Sequence, residues 1–168
     1  AYAGDIVGVI NPGLFAIGDT ISTGGDFKFS GIPAFPPEVF AQVRPLDVSK
    51  RKAFDKGIEQ LTLEGAIQAL FPLDSLSGDP LVAAVGRLQF DVLQYRLKDE
   101  YGVDTKLDLL PYECSAWLQG DPKTFVKSST SMVARDSHDR SIVLFRSPWE
   151  KQYLSEKNPQ HQLTEFSN

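Results

Sequence analysis

One amphipathic segment, residues 86–110 (GRLQFDVLQYRLKDEYGVDTKLDLL), constrains the fold more than any other part of the chain. Four apolar residues recur at the i, i+3, i+7 and i+11 positions of a single helix face: Phe90, Leu93, Leu97 and Tyr101. Gly102 follows this stripe, where a glycine in the left-handed conformation commonly ends a helix. Apolar and polar residues then alternate as far as Leu109, which indicates a half-buried strand.

The residues before this helix predict a strand of a different kind. Residues 81–85 (LVAAV) are apolar on both sides, as in a strand that is covered on both faces. Strand, helix and strand within residues 81–110 make one βαβ unit.

A second unit of the same kind precedes the first. Residues 38–46 and 66–71 predict strands, and the helix between them has an apolar stripe formed by Phe54, Ile58 and Leu61. The order β-α-β-β-α-β predicts an α+β, ferredoxin-like fold, in which an antiparallel sheet carries two helices on one face.

Single residues near the first helix predict its ends and its packing. Asp47 or Ser49 is expected to cap its start, and Gly65 is expected to end it. Gly57 costs a helix about 1 kcal/mol relative to alanine. We therefore expect Gly57 to lie where a neighbouring backbone approaches closely.

The remaining segments predict flanking structure. Residues 1–30 indicate strands at 6–10, 14–17 and 20–22, with turns at 11–13 and 23–26; residues 31–37 (GIPAFPP) indicate a stiff proline-rich linker. A ferredoxin-like domain is expected over residues 38–120, and residues 121–168 are expected to form an α/β extension that packs on it. Within and beside that extension we predict the following elements: a continuing or edge strand at 115–119, a helix opening at Asp121-Pro122 with Phe125, Ser128 and Met132 on one face, a polar turn at 135–140, a strand at 142–145, a short helix at 148–153 and a final strand at 161–166.

Charge and cysteine content narrow the class of protein. The chain has 168 residues, of which 42% are hydrophobic and 23% are charged, so it can bury a core. Its net charge of −5 argues against a free-standing nucleic-acid binder, because such proteins are usually strongly basic. The single cysteine, Cys114, excludes an internal disulfide framework. No apolar run is long enough to span a membrane, and the opening residues are typical of a piece of a longer protein.

The residue types that catalysis or metal binding would need are not grouped in the sequence. A Gly-rich loop followed by Lys-Ser/Thr, which would hold a nucleotide phosphate, does not occur. His138 and His161 have no second ligand at metal-binding spacing, and Cys114 fits a half-buried strand better than a nucleophile. Trp117 and Trp149 are expected to serve in packing rather than in base stacking. We therefore predict no catalytic, cofactor-binding or metal site.

The densest basic cluster comprises Lys50, Arg51, Lys52 and Lys56. Its functional interpretation is a patch that docks on the phosphates of RNA or on an acidic protein. The alternative is an ordinary solvated helix face. Lys52 and Lys56 are i, i+4 neighbours of like charge, which repel weakly, and this favours a use for the pair.

Several motifs resemble the third domain of the bacterial peptide chain release factor 3 family, the translational GTPases of termination. The resemblance rests on residues 54–71 (FDKGIEQLTLEGAIQALF), 85–97 (VGRLQFDVLQYRL) and 98–103 (KDEYGV), with residues 29–40 (FSGIPAFPPEVF) in support. Residues 1–30, with AYAGDI and IGDT, resemble the end of that family's β-barrel domain. Elongation factor G is similar to a lesser degree, and the Gln-Phe-Asp at 89–91 favours the release-factor pattern.

The resemblance implies a parent protein that binds GTP with Mg²⁺ in a domain lacking here and acts in the cytoplasm on the ribosome. It implies that the parent promotes dissociation of class I release factors. This segment would then be a non-enzymatic docking and relay module, contacting small-subunit protein, ribosomal RNA and its own GTPase domain, but neither DNA nor membrane.

Three other classes of function are compatible with the predicted fold, because a fold alone does not specify function. The first is a ferredoxin-like regulatory domain that senses a small molecule, although strands preceding the domain argue against it. The second is a translocation factor of the elongation factor G type. The third is a ferredoxin-like enzyme, for which convergent acid–base groups would be needed.

Overall fold

A computed structural model describes residues 1–10, 14–15, 18–25, 27, 29, 36–74 and 80–165. The chain forms two compact units, Ala1–Ile32 and Pro33–Asn168. The turn predicted at 11–13, most of the linker predicted at 31–37, and much of the loop before residue 80 lie outside the described residues.

The described part of the first unit contains no strand, so the strands predicted at 6–10 and 20–22 are wrong. Ile6 and Ile10 are almost fully exposed, and no apolar surface covers them. Two or three strands are only marginally stable without such a surface. A bend does occur at residues 23–25, where the Ser22 hydroxyl donates to the Gly24 carbonyl at 2.8 Å. The assignment of residues 1–30 to a β-barrel domain stays a prediction.

The described residues of the second unit form one antiparallel sheet with three α-helices. The elements are β1 (Val39–Pro45), a 3-10 turn (Val48–Lys50), α1 (Arg51–Leu63), β2 (Gln68–Pro72), β3 (Leu81–Ala84), α2 (Leu88–Tyr101), β4 (Thr105–Leu109), β5 (Cys114–Gln119), β6 (Met132–Asp136), β7 (Ser141–Phe145), α3 (Pro148–Lys157) and β8 (Gln162–Thr164). The strand order is β4-β1-β3-β2-β6-β7-β5-β8.

The first half of the sheet confirms the ferredoxin-like prediction. Strands β4, β1, β3 and β2 lie side by side in that order, and α1 and α2 share a buried cluster with β1 and β3. The predicted stripes face this cluster: Phe54, Ile58, Leu61, Phe90, Leu93 and Leu97 are all buried. Gly102 ends α2 with a φ of 66°, in the left-handed region.

The contact of α1 with α2 explains Gly57. A Cβ placed on Gly57 would lie 2.5 Å from Leu97 Cδ2 and 3.2 Å from the Tyr101 ring. The close approach predicted there is confirmed, but the neighbouring atoms belong to side chains rather than to a backbone.

The second half of the sheet extends the first through pairing of β2 with β6. Strand β5 pairs with both β7 and β8, so residues 115–119 lie inside the sheet instead of continuing the first half or forming its edge. Because both parts share one sheet, the division at residue 120 stays a prediction. Helix α3 covers this half through a cluster that includes Phe125, Phe145 and Leu154.

A third buried cluster connects the two halves. It contains Phe40, Leu81, Trp117 and Ile142, and its members come from strands of both halves, with no helical residue among those described. All four are at most 7% exposed. Side chains from strands of both halves of the sheet therefore pack together in this cluster.

The helix predicted to open at Asp121-Pro122 is wrong. Asp121 instead caps a short turn, with Lys123 N donating to its Oδ1 at 3.0 Å. Further on, the Ser128 hydroxyl accepts from the backbone N–H of Thr130 and Ser131 at 3.1 and 2.9 Å. Such local bonds compete with helical ones, and Met132 already belongs to β6.

The later predicted elements are present with shifted ends. A polar turn joins β6 to β7 at residues 137–140, and the predicted strand at 142–145 is β7. Helix α3 begins at the predicted Pro148, where Ser147 caps it and the proline occupies its first turn, and it runs to Lys157, four residues beyond the predicted end. Strand β8 lies within the predicted 161–166, whose last residue is outside the described part.

Candidate docking site on the first helix

The predicted basic cluster lies where β1 leads into α1. Asp47 caps the intervening 3-10 turn by accepting from Ser49 N at 2.9 Å and from Ser49 Oγ at 2.7 Å. These bonds hold the pKa of the Asp47 carboxyl below its ordinary value, so it is ionised at neutral pH. The predicted cap is therefore found on the 3-10 turn that leads into α1, whereas α1 itself begins after Lys50 without a side-chain cap.

Two of the four cations make contacts with other residues of the second unit. Lys50 Nζ donates to the Gly102 carbonyl at the end of α2. Arg51 pairs with Asp55, Nε to Oδ1 at 2.8 Å, and its guanidinium lies 5.8 Å from the centre of the Phe54 ring. Lys50 therefore connects the start of α1 to the end of α2, whereas the contacts of Arg51 lie within α1.

The other two cations are free within the described part of the chain. Lys52 and Lys56 are exposed on successive turns of α1, and neither makes an ion pair or a hydrogen bond to a described residue. Their proximity adds repulsion to the helix without an internal benefit. If the cluster binds a partner, this pair is the part that is available to do so.

Exposed apolar side chains lie beside the cations in the chain. Leu46 is 66% exposed and Val48 is 81% exposed, immediately before Lys50. The combination of cations with uncovered apolar groups fits a protein surface with acidic and apolar groups better than a phosphate backbone alone.

Two polar residues of the sequence motifs have structural roles that sequence reasoning did not assign. Gln89 Oε1 accepts from Val85 N at 2.9 Å and from Gly86 N at 3.2 Å, and its Nε2 donates to the Ala66 carbonyl at 3.1 Å. It therefore joins the start of α2 to the start of β2.

Arg96 connects α2 to the end of α1 at the protein surface. It bonds Glu100 on α2, with Nη2 to Oε2 at 2.9 Å, and Glu64 at the end of α1. The hydrogen bond to Glu100, followed by that to Glu64, raises the pKa of Arg96. Because the paired side chains are 26–39% exposed, these ion pairs add little to the free energy of unfolding. Their main effect is to fix the position of one helix end against the other.

The remaining sequence candidates are dispersed over the second unit. His138 is exposed on the β6–β7 turn, whereas His161 is buried, with Nε2 3.1 Å from both Thr124 Oγ1 and the Asp121 carbonyl. Cys114 is half-buried in β5, as expected, and burial raises the pKa of its thiol. Across the described residues, no three His, Cys, Asp or Glu side chains are grouped to hold a metal ion.

None of the described helices combines the length and the apolar character needed to cross a bilayer.

Comparison with known proteins gave one family and many relatives. The family model described as "Class II release factor RF3, C-terminal domain" matches residues 29–155. A peptide chain release factor 3 from Gloeobacter violaceus is 49% identical over 171 residues, covering 99% of this chain and 32% of the relative. The protein of the same name from Symbiobacterium thermophilum is 48% identical over 162 residues, covering 95% and 30%. A third, from Nostoc punctiforme, is 46% identical over 167 residues, covering 98% and 31%. The chain thus spans about a third of the length of these curated relatives.

Proposed function

Because this chain belongs to the family of the class II release factor RF3 C-terminal domain, we propose that it is the ribosome-docking and relay part of a translation-termination GTPase. The single observation that carries the proposal is close identity to named release factors over nearly the whole chain. In this proposal the parent protein works in the cytoplasm and promotes dissociation of class I release factors from the ribosome.

The nucleotide chemistry is assigned to another part of the parent. This sequence contains no Gly-rich loop followed by Lys-Ser/Thr, so its residues do not fit GTP and Mg²⁺. No step of GTP hydrolysis is therefore derived from this chain, whose proposed role is to bind and to transmit.

Docking is proposed to use Lys52 and Lys56, with Leu46 and Val48 beside them. The charged and apolar groups together suit a small-subunit ribosomal protein with acidic groups, and the two ammonium groups can also meet phosphates of ribosomal RNA. Lys50 supports this surface by binding the end of α2, and Arg51 supports it through its i,i+4 pair with Asp55 on α1.

Relay is proposed to run through the rigid pair of α1 and α2. Lys50 binds the end of α2, Arg96 binds the end of α1, and Gly57 allows the helices to meet closely between those points. A force applied at Lys52 and Lys56 would therefore move both helices, and the sheet beneath them, as one body. The partner that receives this movement is proposed to be the parent's GTPase domain.

The test is charge reversal of the free pair. Lys52→Glu with Lys56→Glu should weaken pelleting of the 168-residue chain with bacterial ribosomes by about two- to tenfold at low salt, and less at high salt, since exposed charge contacts are individually weak and screened. Lys50 is left unchanged, because its loss would disturb α2 as well. A matched control reverses Arg87 and Lys123, which are also exposed.

The control distinguishes a specific patch from total charge. Equal weakening by both double variants would mean that net charge alone governs binding. Unchanged pelleting by the Lys52 and Lys56 variant would show that the pair is a solvated helix face. Either result would contradict the docking proposal.

A further inference from the structure

Helix α3 presents a stacked pair of aromatic rings to solvent. Trp149 is 71% exposed and Tyr153 is 37% exposed. Their rings are nearly parallel, at 8°, with centroids 5.3 Å apart. Lys157 Nζ lies 4.6 Å from the Tyr153 ring centre, so the three residues form a ladder along successive turns of the helix. We call Trp149, Tyr153 and Lys157 the aromatic ladder.

Packing accounts for one tryptophan of the chain and not for the other. Trp117 is 3% exposed within the cluster between the two halves of the sheet, and the Arg140 guanidinium lies 4.7 Å from its ring. The expectation of a packing role is confirmed for Trp117. Trp149 leaves most of its surface uncovered, at a cost in hydrophobic free energy that a binding role would explain.

The ladder is held on a rigid support. The Glu150 carboxylate, next to Trp149, accepts from the hydroxyls of Ser128 and Thr130, the latter at 2.6 Å. Asn158, next to Lys157, accepts from Val126 N at 2.7 Å and donates to its carbonyl at 3.0 Å. The 121–131 loop is thereby fastened to both ends of α3, and a ligand would meet rings that are already arranged.

Charge near the ladder differs from charge over the rest of the chain. Residues 1–120 carry 10 basic and 16 acidic side chains, whereas residues 121–168 carry 7 and 6. Lys157 is the cation of the ladder. The acid on the same face is Glu156, whose Oε1 accepts from Gln152 Nε2 at 3.3 Å.

We propose that the aromatic ladder stacks an unpaired base of RNA, with Lys157 contacting an adjacent phosphate. Exposed aromatic faces with adjacent cations are the features by which proteins hold single-stranded nucleotides. The choice of RNA as the occupant rests on the proposed function, which places this chain on the ribosome. The stacking itself rests on the geometry of α3.

The experiment uses the fluorescence of Trp149. Because Trp117 is buried, quenching by a single-stranded oligoadenylate of about ten nucleotides should report on the exposed indole. The Trp149 variants lack this indole, so their binding is measured with a labelled form of the same oligonucleotide. Trp149→Ala should weaken that binding by about fivefold or more, and Trp149→Phe should restore part of the loss. Lys157→Ala should reduce the salt dependence of binding.

Tyr95→Ala is the matched control. Tyr95 is 68% exposed on α2, where the neighbouring helical positions 91 and 99 are aspartates, so its loss should leave binding unchanged. A duplex RNA of equal length, whose bases are already stacked, should bind without dependence on Trp149.

Three results would overturn the inference. They are the lack of Trp149 quenching at saturating oligonucleotide, equal binding by Trp149→Ala and the parent chain, and equal loss with duplex and single-stranded RNA. The proposed function fails separately, if ribosome pelleting does not respond to Lys52 and Lys56. A chain that loses oligoadenylate binding through Trp149 but ignores those lysines would keep the ladder and reject the docking site.

Discussion

Replacement of Gly57 by alanine tests the contact between α1 and α2. The added methyl would lie 2.5 Å from Leu97 Cδ2, closer than two carbon atoms can approach. Leu97 is fully buried, so its side chain cannot turn away into solvent. The Tyr101 ring, 3.2 Å from the same point, must also move by a few tenths of an ångström.

Two opposing terms set the magnitude. Alanine favours the helix over glycine by about 1 kcal/mol. Overpacking of a dense core costs about 1–3 kcal/mol. We expect Gly57→Ala to lower the free energy of unfolding by about 1 kcal/mol, because the first term offsets part of the second.

A second background isolates the steric term. Leu97→Ala alone should lower the free energy of unfolding by about 2–5 kcal/mol, since it leaves a cavity between helix and sheet. In that background the methyl on residue 57 has space, and Gly57→Ala should raise the free energy of unfolding by about 1 kcal/mol through helix propensity. The sign of the Gly57→Ala effect therefore reverses.

The assay is urea unfolding of the four proteins of this cycle, followed by far-ultraviolet circular dichroism. Glu59→Ala, at an exposed position on α1, is the control and should have the same small effect in both backgrounds. If Gly57→Ala stabilises the parent chain, or costs the same with and without Leu97, the predicted helix contact is refuted.

Two further predictions concern polar residues. Burial acts to raise the pKa of Glu150, but hydrogen bonds from Ser128, Thr130 and Arg146 N outweigh it, so the pKa lies below its ordinary value. The folded chain should therefore lose stability as pH falls through the lowered pKa of Glu150, and Glu150→Gln should show a shallower loss in acid unfolding curves; equal slopes would contradict the assignment. Arg96→Ala should lower the midpoint of urea unfolding, with a smaller decrease in high salt, and Arg96→Lys should restore part of it; a decrease independent of salt would show that packing, not pairing, is responsible.

Elements with strong local signals were predictable from the sequence. The stripe from Phe90 to Tyr101 and Gly102 define α2, because periodicity and a left-handed stop act within a few residues. The segment after Asp121 misled the prediction, since a proline after a capping residue resembles a helix start. The hydroxyls around Ser128 and the bonds from Asn158 to Val126 prevent that helix, and the Asn158 bonds span 32 residues of chain.

The candidate sites were also predictable from the sequence only in part. Sequence showed where the cations of α1 cluster, but not that Lys50 donates to the Gly102 carbonyl, 52 residues away, while Lys52 and Lys56 have no partner among the described residues. It also could not separate Trp117 from Trp149, because burial depends on which distant strands and helices cover each ring.

The sequence by itself determined the ferredoxin-like half of this protein and its family, since short-range periodicity, caps and motif residues carry that information. Only the tertiary structure decided that β5 lies between β7 and β8, that strand residues of both sheet halves bury Trp117, and that α3 leaves Trp149 exposed. The physical reason is that strand pairing and burial are set by contacts between residues far apart in the chain, and local sequence patterns carry no information about those contacts.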